Sequence, residues 1–473
     1  MHFLARNGRA AARPWPRVTR HDRARNRNVS AAHALPPSLC PQETASARFD
    51  KALDGWKTFH AAAKKRRAQA GKKGQFTNEE MDFSNVHVVD DQSSASSLRA
   101  YAKKKFSRGE TVMTVSRTAM LSDGPLRQGP LLEDARAHMK DIDGVNALAL
   151  FLLMTDPKGE PRTMSSIPLL SMLPKRVPVP VQYTDDEWDM LSGPFLRFAL
   201  GMMDQSLGIY NRVVSKMTPK YDGMTSKERW NWAYAIANMM SIGVTDRTEK
   251  GTATRHFAIV PLYSQLPHSR AANVGPARMQ NLTDSFKIVA LRDIARGEEL
   301  LRVALPGSNR QLIANAGTTD LQNPWEDVQL VLYPQALDAA AEERLNAQGL
   351  TTDRIATIKA NNIGSFFARF QAIKGLDDFN AASELLDLLD EFEADYETTA
   401  AGDKALVDKY ASRLRGLGRA GVDPDDAVQF QNIINIATQR LTERAHIAKI
   451  REFVVQKYEA TGASIEDRGK DDL

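Results

Sequence analysis

The chain of 473 residues has one cysteine, Cys40. An internal disulfide and a cysteine-built zinc site are therefore excluded, and a reducing or thiol-indifferent compartment is expected. Long hydrophobic runs are missing too. The longest is "VNALALFLLM", Val145 to Met154, which is too short to span a bilayer and reads as a buried helix. Aromatic residues make up 7% and form no clustered strip, which argues against base-stacking recognition of nucleic acid. There is no P-loop, H-E-x-x-H, G-x-S-x-G or dinucleotide fingerprint. No repeat with a period of about 20–50 residues is visible, so a solenoid is not expected.

Acids are scarce at the N-terminus. Residues 1–80 hold 17 Lys and Arg against 6 Asp and Glu, whereas the whole chain has a net charge of only +5. The first 30 residues carry eight arginines and one acid, Asp22. An Arg-rich, acid-poor, Ala-rich start is the composition of a mitochondrial transit peptide, which predicts a matrix location. A second basic strip, "HAAAKKRRAQAGKKGQ", offers Lys64, Lys65, Arg66, Arg67, Lys72 and Lys73. It reads either as a solvated linker or as a contact for RNA phosphates.

Hydrophobic content of 42% supports sizeable cores, and the length suggests two or three domains. "VHVVDD" reads as a strand, and "SSLRAYAKKKFSRGETVMTVSRTAML" as strand, turn at Arg108-Gly109, strand. "SSIPLLSMLPKRVPVPVQYT" is proline-punctuated extended chain. Helical periodicity then runs from Asp185 to Val244, with Thr184 and Ser226 as N-caps. "TRHFAIVPLY", "DSFKIVALRDIARGEELLRVAL" and "DVQLVLYP" return to strands, and helices are expected from there on.

This layout resembles the SET-domain lysine methyltransferases of the Rubisco large-subunit methyltransferase type, from about Phe83 to Ala460. "AKKKFSRGETVMTVSRTAML" is similar to the family's opening strands, and "LLSMLPKRVPVPVQYTDDEWDML" to the entry into its insert. "WNWAYAIANMMS" resembles the insert's exit helix, and "AIVPLYSQLPHS" resembles A-[LM]-[IV]-P-x-x-D-x-x-N-H-S. "LRDIARGEELLRVALPGSN" is similar to G-E-[QE]-[IV]-x-I-x-Y-G-x-x-[SK]-N, and "DYETTAAGDKAL" to a late Y-P-T-T-x-x-E-D-x-x-L element. The resemblance implies an α+β fold: a SET-type β-fold interrupted by a helical insert, then an all-helical, substrate-binding-like region. The expected division is a transit-like tail over 1–45, a basic linker over 46–80 and the first SET part over 81–184. The insert follows over 185–245, the second SET part over 246–322 and the helical region over 323–473.

The same resemblance implies a site for S-adenosylmethionine, and several of its positions are altered here. The family's early G-x-G falls on Ser97 and Arg99, and the arginine ending the exit helix falls on Met240. The asparagine of N-H-S is replaced by Pro267, which offers neither an amide side chain nor a backbone N–H; His268 and Ser269 remain. The family's two tyrosines fall on Ala304 and Ala316. Losing two or three hydrogen bonds to a charged group weakens binding by about 3–6 kcal/mol. The expectation is a degenerate site with no cofactor and no methyl transfer. The protein would then be a scaffold or binding subunit of a mitochondrial assembly, such as a ribosome or its assembly intermediates. It would hold a protein partner through a mostly apolar groove of the helical region and RNA through the basic strip. The second reading is an active S-adenosylmethionine-dependent protein-lysine N-methyltransferase with diverged motifs.

Plainer readings apply to other residues. His268 has no adjacent acid and is expected to be a satisfied core histidine. His446, without a metal partner one turn away, is expected at the surface. Met202, Met203, Met239 and Met240 read as core. "DLLDEFEADYE" reads as a solvated acidic helix face.

Overall fold

Alternation in "LRAYA" sets the first pairing: Leu98, Ala100 and Ala102 are buried, whereas Arg99 and Tyr101 are half-buried. β1 (Val86–Asp90) pairs antiparallel with β2 (Leu98–Ala102). Gly109, at φ 85°, then turns the chain as the Arg108-Gly109 signal requires. β3 (Thr111–Ser116) follows, buried from Val112 onward. The structure is a computed structural model. It describes residue 54 and residues 82–90, 98–116, 119–123, 135, 137, 142–153, 173–217, 226–247, 253–277, 285–303, 306–331, 339–347, 355–417 and 424–465. Cys40, the basic tail, Lys64, Lys65, Arg66, Arg67, Lys72, Lys73, Ser97 and Ala304 lie outside the described residues.

β4 (Leu121–Ser122) precedes α1 (Gly144–Leu153), which is the apolar run and is buried along nearly its whole length. Among the described residues, no helix is long and apolar enough to cross a membrane. The helical insert starts at α2 (Asp185–Asp189). Thr184 closes a capping box there: its hydroxyl accepts from the Glu187 N–H, and Glu187 accepts from the Thr184 N–H at 2.7 Å. α3 (Gly193–Arg212) and α4 (Lys227–Met240) complete the insert, with Ser226 capping α4. Met203, Met239 and Met240 are buried, and Met202 is half-buried against the cluster that holds Met239 and Met240, so the methionines are core, as expected.

β5 (Ile242–Arg247) and β6 (Ala253–Ile259) form an antiparallel hairpin that pairs on with β4, in the order β4-β6-β5. The short β7 (His268–Ser269) and β8 (Val274–Pro276) are followed by β9 (Ser285–Ala290) and β10 (Arg302–Val303). Together with β3 they make a five-stranded sheet of order β3-β9-β8-β10-β7. α5 (Asn309–Ala316) follows, and then β11 (Asp327–Val331), α6 (Ala339–Ala347) and β12 (Ile355–Lys359). β12 corrects the expectation that only helices follow β11, since "IATIK" pairs antiparallel with β11 over five residues. α7 (Ile363–Lys374), α8 (Asp378–Ala394), α9 (Ala400–Leu417) and α10 (Pro424–Glu459) complete the fold.

Separate apolar clusters sit in the β-fold, around α1 and α4, and among α7, α8 and α10. A fourth cluster joins them: Tyr183, Leu191, Phe195 and Leu196 of the insert meet Ile313 of α5 and Ile436 of α10. α10 is also where one expectation fails. His446 is buried rather than at the surface. Beside the apolar residues Ile433, Ile436, Ile447, Ile450 and Val454, this helix also buries Asn432, Asn435, Gln439, Arg440 and Glu443. Part of the α8 acidic face is paired as well: Arg451 of α10 meets Asp390 at 2.7 Å and Glu393 at 2.8 Å.

Candidate functional site

The stretch after β6 is built around a tight, strained turn. Leu262 has φ 62° and ψ −52°, and the Tyr263 N–H donates to the Pro261 carbonyl across it at 2.7 Å. That is a γ-turn of the uncommon hand, a conformation that costs a non-glycine residue about 1–3 kcal/mol. Burial on all sides holds it, as Leu262 is fully enclosed in the β-fold core. Ser264 braces the turn by accepting from the Val260 N–H at 2.8 Å. The chain then extends through Leu266 and Pro267 into β7.

β7 and β10 lie parallel, with His268 opposite Arg302 and Ser269 opposite Val303. The Pro267 carbonyl accepts from the Arg302 backbone N–H at 3.0 Å. The Arg302 side chain is buried and bridges two walls. Its Nε donates to the Leu266 carbonyl at 3.1 Å, and its Nη2 donates to the Met239 carbonyl at 3.2 Å. Met239 and Met240 end α4, so the guanidinium ties the exit helix to the segment entering β7.

The electrostatics of this corner follow from burial. Desolvation pulls Arg302 down to about 10, with Tyr263 opposing. Burial pushes Tyr263 up to about 12, and the charge of Arg302 works against it. For His268, burial and then the Arg302 charge drive the imidazole down to about 3, against the Val303 backbone. His268 is partly buried rather than a satisfied core histidine, although both its ring nitrogens are enclosed. Among the described residues neither ring nitrogen meets a hydrogen-bond partner of ordinary geometry.

Other expected positions gather around the same corner. Ala316 is half-buried at the end of α5, before Gly317 in the left-handed region at φ 62°. A Cβ on Gly317 would lie 2.6 Å from Pro178 Cγ and 3.1 Å from Met239 Sδ, so α5 ends hard against α4. Ser269 is spent locally, its hydroxyl accepting from the Ala271 N–H at 3.1 Å. Arg99 stands apart on β2, paired with Glu299 at 3.2 Å. The structure thus brings Met240, Pro267, His268 and Ala316 together. Arg302 and Tyr263 are members of this corner that the sequence reading missed. One signal was available: the pattern that puts a tyrosine at Ala304 puts an isoleucine at Arg302, so a charge stands in a core position.

This architecture is a SET-type, methyltransferase-like fold. No protein-family model matches the chain, and no curated protein matches its sequence. Solved structures do match. The SET domain of LSMT bound to lysine and AdoHcy aligns with a TM-score of 0.59 and 13% identity, over 89% of this chain and 92% of that one. Rubisco LSMT bound to AdoMet aligns with a TM-score of 0.57 and 13% identity, over 85% of this chain and 92% of that one. Rubisco LSMT bound to sinefungin and monomethyllysine gives 0.55 and 14%, with the same coverage.

Proposed function

We propose that this SET-fold protein has lost methyl transfer and acts as a binding or scaffold subunit of an organellar, mitochondrial assembly. The observation that carries the reading is the Arg302 bridge. Where the resemblance calls for an asparagine and an arginine facing the cofactor's amino-acid end, this chain has Pro267 and Met240. The buried guanidinium of Arg302 has two of its donors committed to wall carbonyls. These residues do not fit S-adenosylmethionine: the cation is buried and bound, the imidazole is neutral, and Met240 and Ala316 offer no polar side chain.

The remaining part of the reading is a partner. The basic strip of Lys64, Lys65, Arg66, Arg67, Lys72 and Lys73 would add RNA-phosphate contacts whose affinity falls with salt, which suits a ribonucleoprotein such as the mitochondrial ribosome or its assembly intermediates. Outer faces of the helical region would choose the protein partner, because the inner face of α10 is already used.

Calorimetric titration of the full chain with S-adenosylmethionine is the test. No heat of binding is expected in the micromolar range. A dissociation constant in the low micromolar range, about −8 kcal/mol, would overturn the loss of function and restore the lysine methyltransferase reading.

A further inference from the structure

The seam between α10 and the α5–β11 segment holds four acids that meet very different partners. Asp327 pairs with Arg310 at 2.5 Å. Asp403, from α9, pairs with Arg440 at 2.5 Å and lies 3.9 Å from Arg444. Glu326 and Glu443 form no ion pair among the described residues. Glu443 accepts from Tyr396 Oη and from Gln439 Nε2, both at 3.0 Å. Glu326 accepts from the backbone N–H of Asn309 at 3.2 Å and of Asp327 at 3.3 Å. Every direct partner of these two carboxyls is neutral.

The two also feel each other. Glu443 is fully buried, and the charge of Glu326 disfavours its ionisation. Asn309 of α5 links the two sides: its N–H donates to Glu326 at 3.2 Å, and its Nδ2 donates at 3.1 Å to Thr442, the residue next to Glu443 on α10. Two negative charges here would face one another across a low-dielectric interface.

We propose that this seam is a proton-operated latch: Glu326 and Glu443, each met only by neutral donors, are carried as neutral carboxyls, and losing their protons loosens α10 from the α5–β11 segment. The groups around them agree. Arg310 of α5 favours the charged form of Glu443, but it is engaged by Asp327. Arg440 and Arg444 are held by Asp403, and Arg444 also lies over the Tyr396 ring at 4.3 Å. Lys359 of β12 acts on Asp327, and His446, whose imidazole burial pulls downward, is acted on by Lys449 and Asp327. Burial puts Glu443 at about 8, with the Gln439 amide opposing and the Glu326 charge adding to the rise. Burial puts Glu326 at about 7, with the Asn309 N–H opposing and Asp327 adding to the rise. The latch opens as pH rises through that range. This inference does not depend on whether the SET site binds a cofactor.

Hydrogen exchange of the full chain at about pH 6 and about pH 9, normalised to intrinsic amide rates, tests it. Peptides over residues 309–331 and 436–447 should exchange at least about tenfold faster at the higher pH, while α1 is unchanged. The Glu326→Gln, Glu443→Gln double variant should lose that difference. Infrared spectroscopy of the wild-type chain gives a readout independent of any variant: a protonated carboxyl band present at the lower pH should vanish at the higher. Equal exchange at both pH values, a double variant with the full difference, or no protonated carboxyl band would each overturn the proposal.

Discussion

His268 and Arg302 stand opposite each other across the parallel pairing of β7 and β10, a neutral imidazole with both nitrogens enclosed beside a buried guanidinium. The imidazole therefore should not titrate between about pH 5 and 8. Its folded value lies below the ordinary one, so the native state binds fewer protons than the unfolded state between them. Its contribution to stability is complete above about 6.5 and is lost toward about 3, by about 1.4 kcal/mol per pH unit. NMR titration of the His268 ring checks this. In Arg302→Met, the titration should move upward, since one of its two depressing causes is gone.

Arg302→Ala should destabilise the fold by about 2–4 kcal/mol. It opens a buried space and leaves the Leu266 and Met239 carbonyls without their donor. Urea unfolding measures the loss. A change below about 0.5 kcal/mol would mean that the desolvation cost of the charge cancels the bridge.

Asp403 is buried, pairs with Arg440 and accepts from Thr398 Oγ1 at 2.8 Å. Asp403→Ala should cost about 3–5 kcal/mol by stranding a buried guanidinium. Lys404 and Asp408, an exposed pair one turn apart on the same helix, supply the control. Lys404→Ala should cost no more than about 0.5 kcal/mol in the same denaturation assay.

Two glycines separate backbone strain from crowding. Gly109 is at φ 85° with nothing within 4 Å of an added Cβ, whereas at Gly193, φ 62°, a Cβ would sit 2.8 Å from Tyr396 Cε1. Gly109→Ala should cost about 1 kcal/mol, from the left-handed conformation alone. Gly193→Ala should cost clearly more, about 2–4 kcal/mol, because Tyr396 has to move as well. Thermal unfolding of the two variants compares them directly.

Features decided by neighbours in sequence were legible. The Thr184 and Ser226 caps, the Gly109 turn and the α1 run depend on a few adjacent residues, and each forms as read. Features decided across the fold were not. The carbonyls that Arg302 holds lie 36 and 63 residues away, so nothing local marks the bridge. His446 failed for another reason. α10 is enclosed on several sides and buries polar residues in a network, so polarity stopped indicating exposure. β12 was lost because a five-residue strand between helices carries little periodic signal, and its pairing with β11 supplies what its own sequence does not.

α10 runs for 36 residues, about 54 Å. Its side chains reach back to residues synthesised long before it. Asn432 donates to Glu187, Asn435 to the Gly317 carbonyl, and Arg440 to the Met190 carbonyl. During translation these acceptors wait. At ribosomal speeds the helix takes roughly two to seven seconds to be made. Through that interval the insert and the β-fold are complete in sequence but still lack these bonds. The hydrogen bonds of this seam are thus the ones that can close only after the rest has been made.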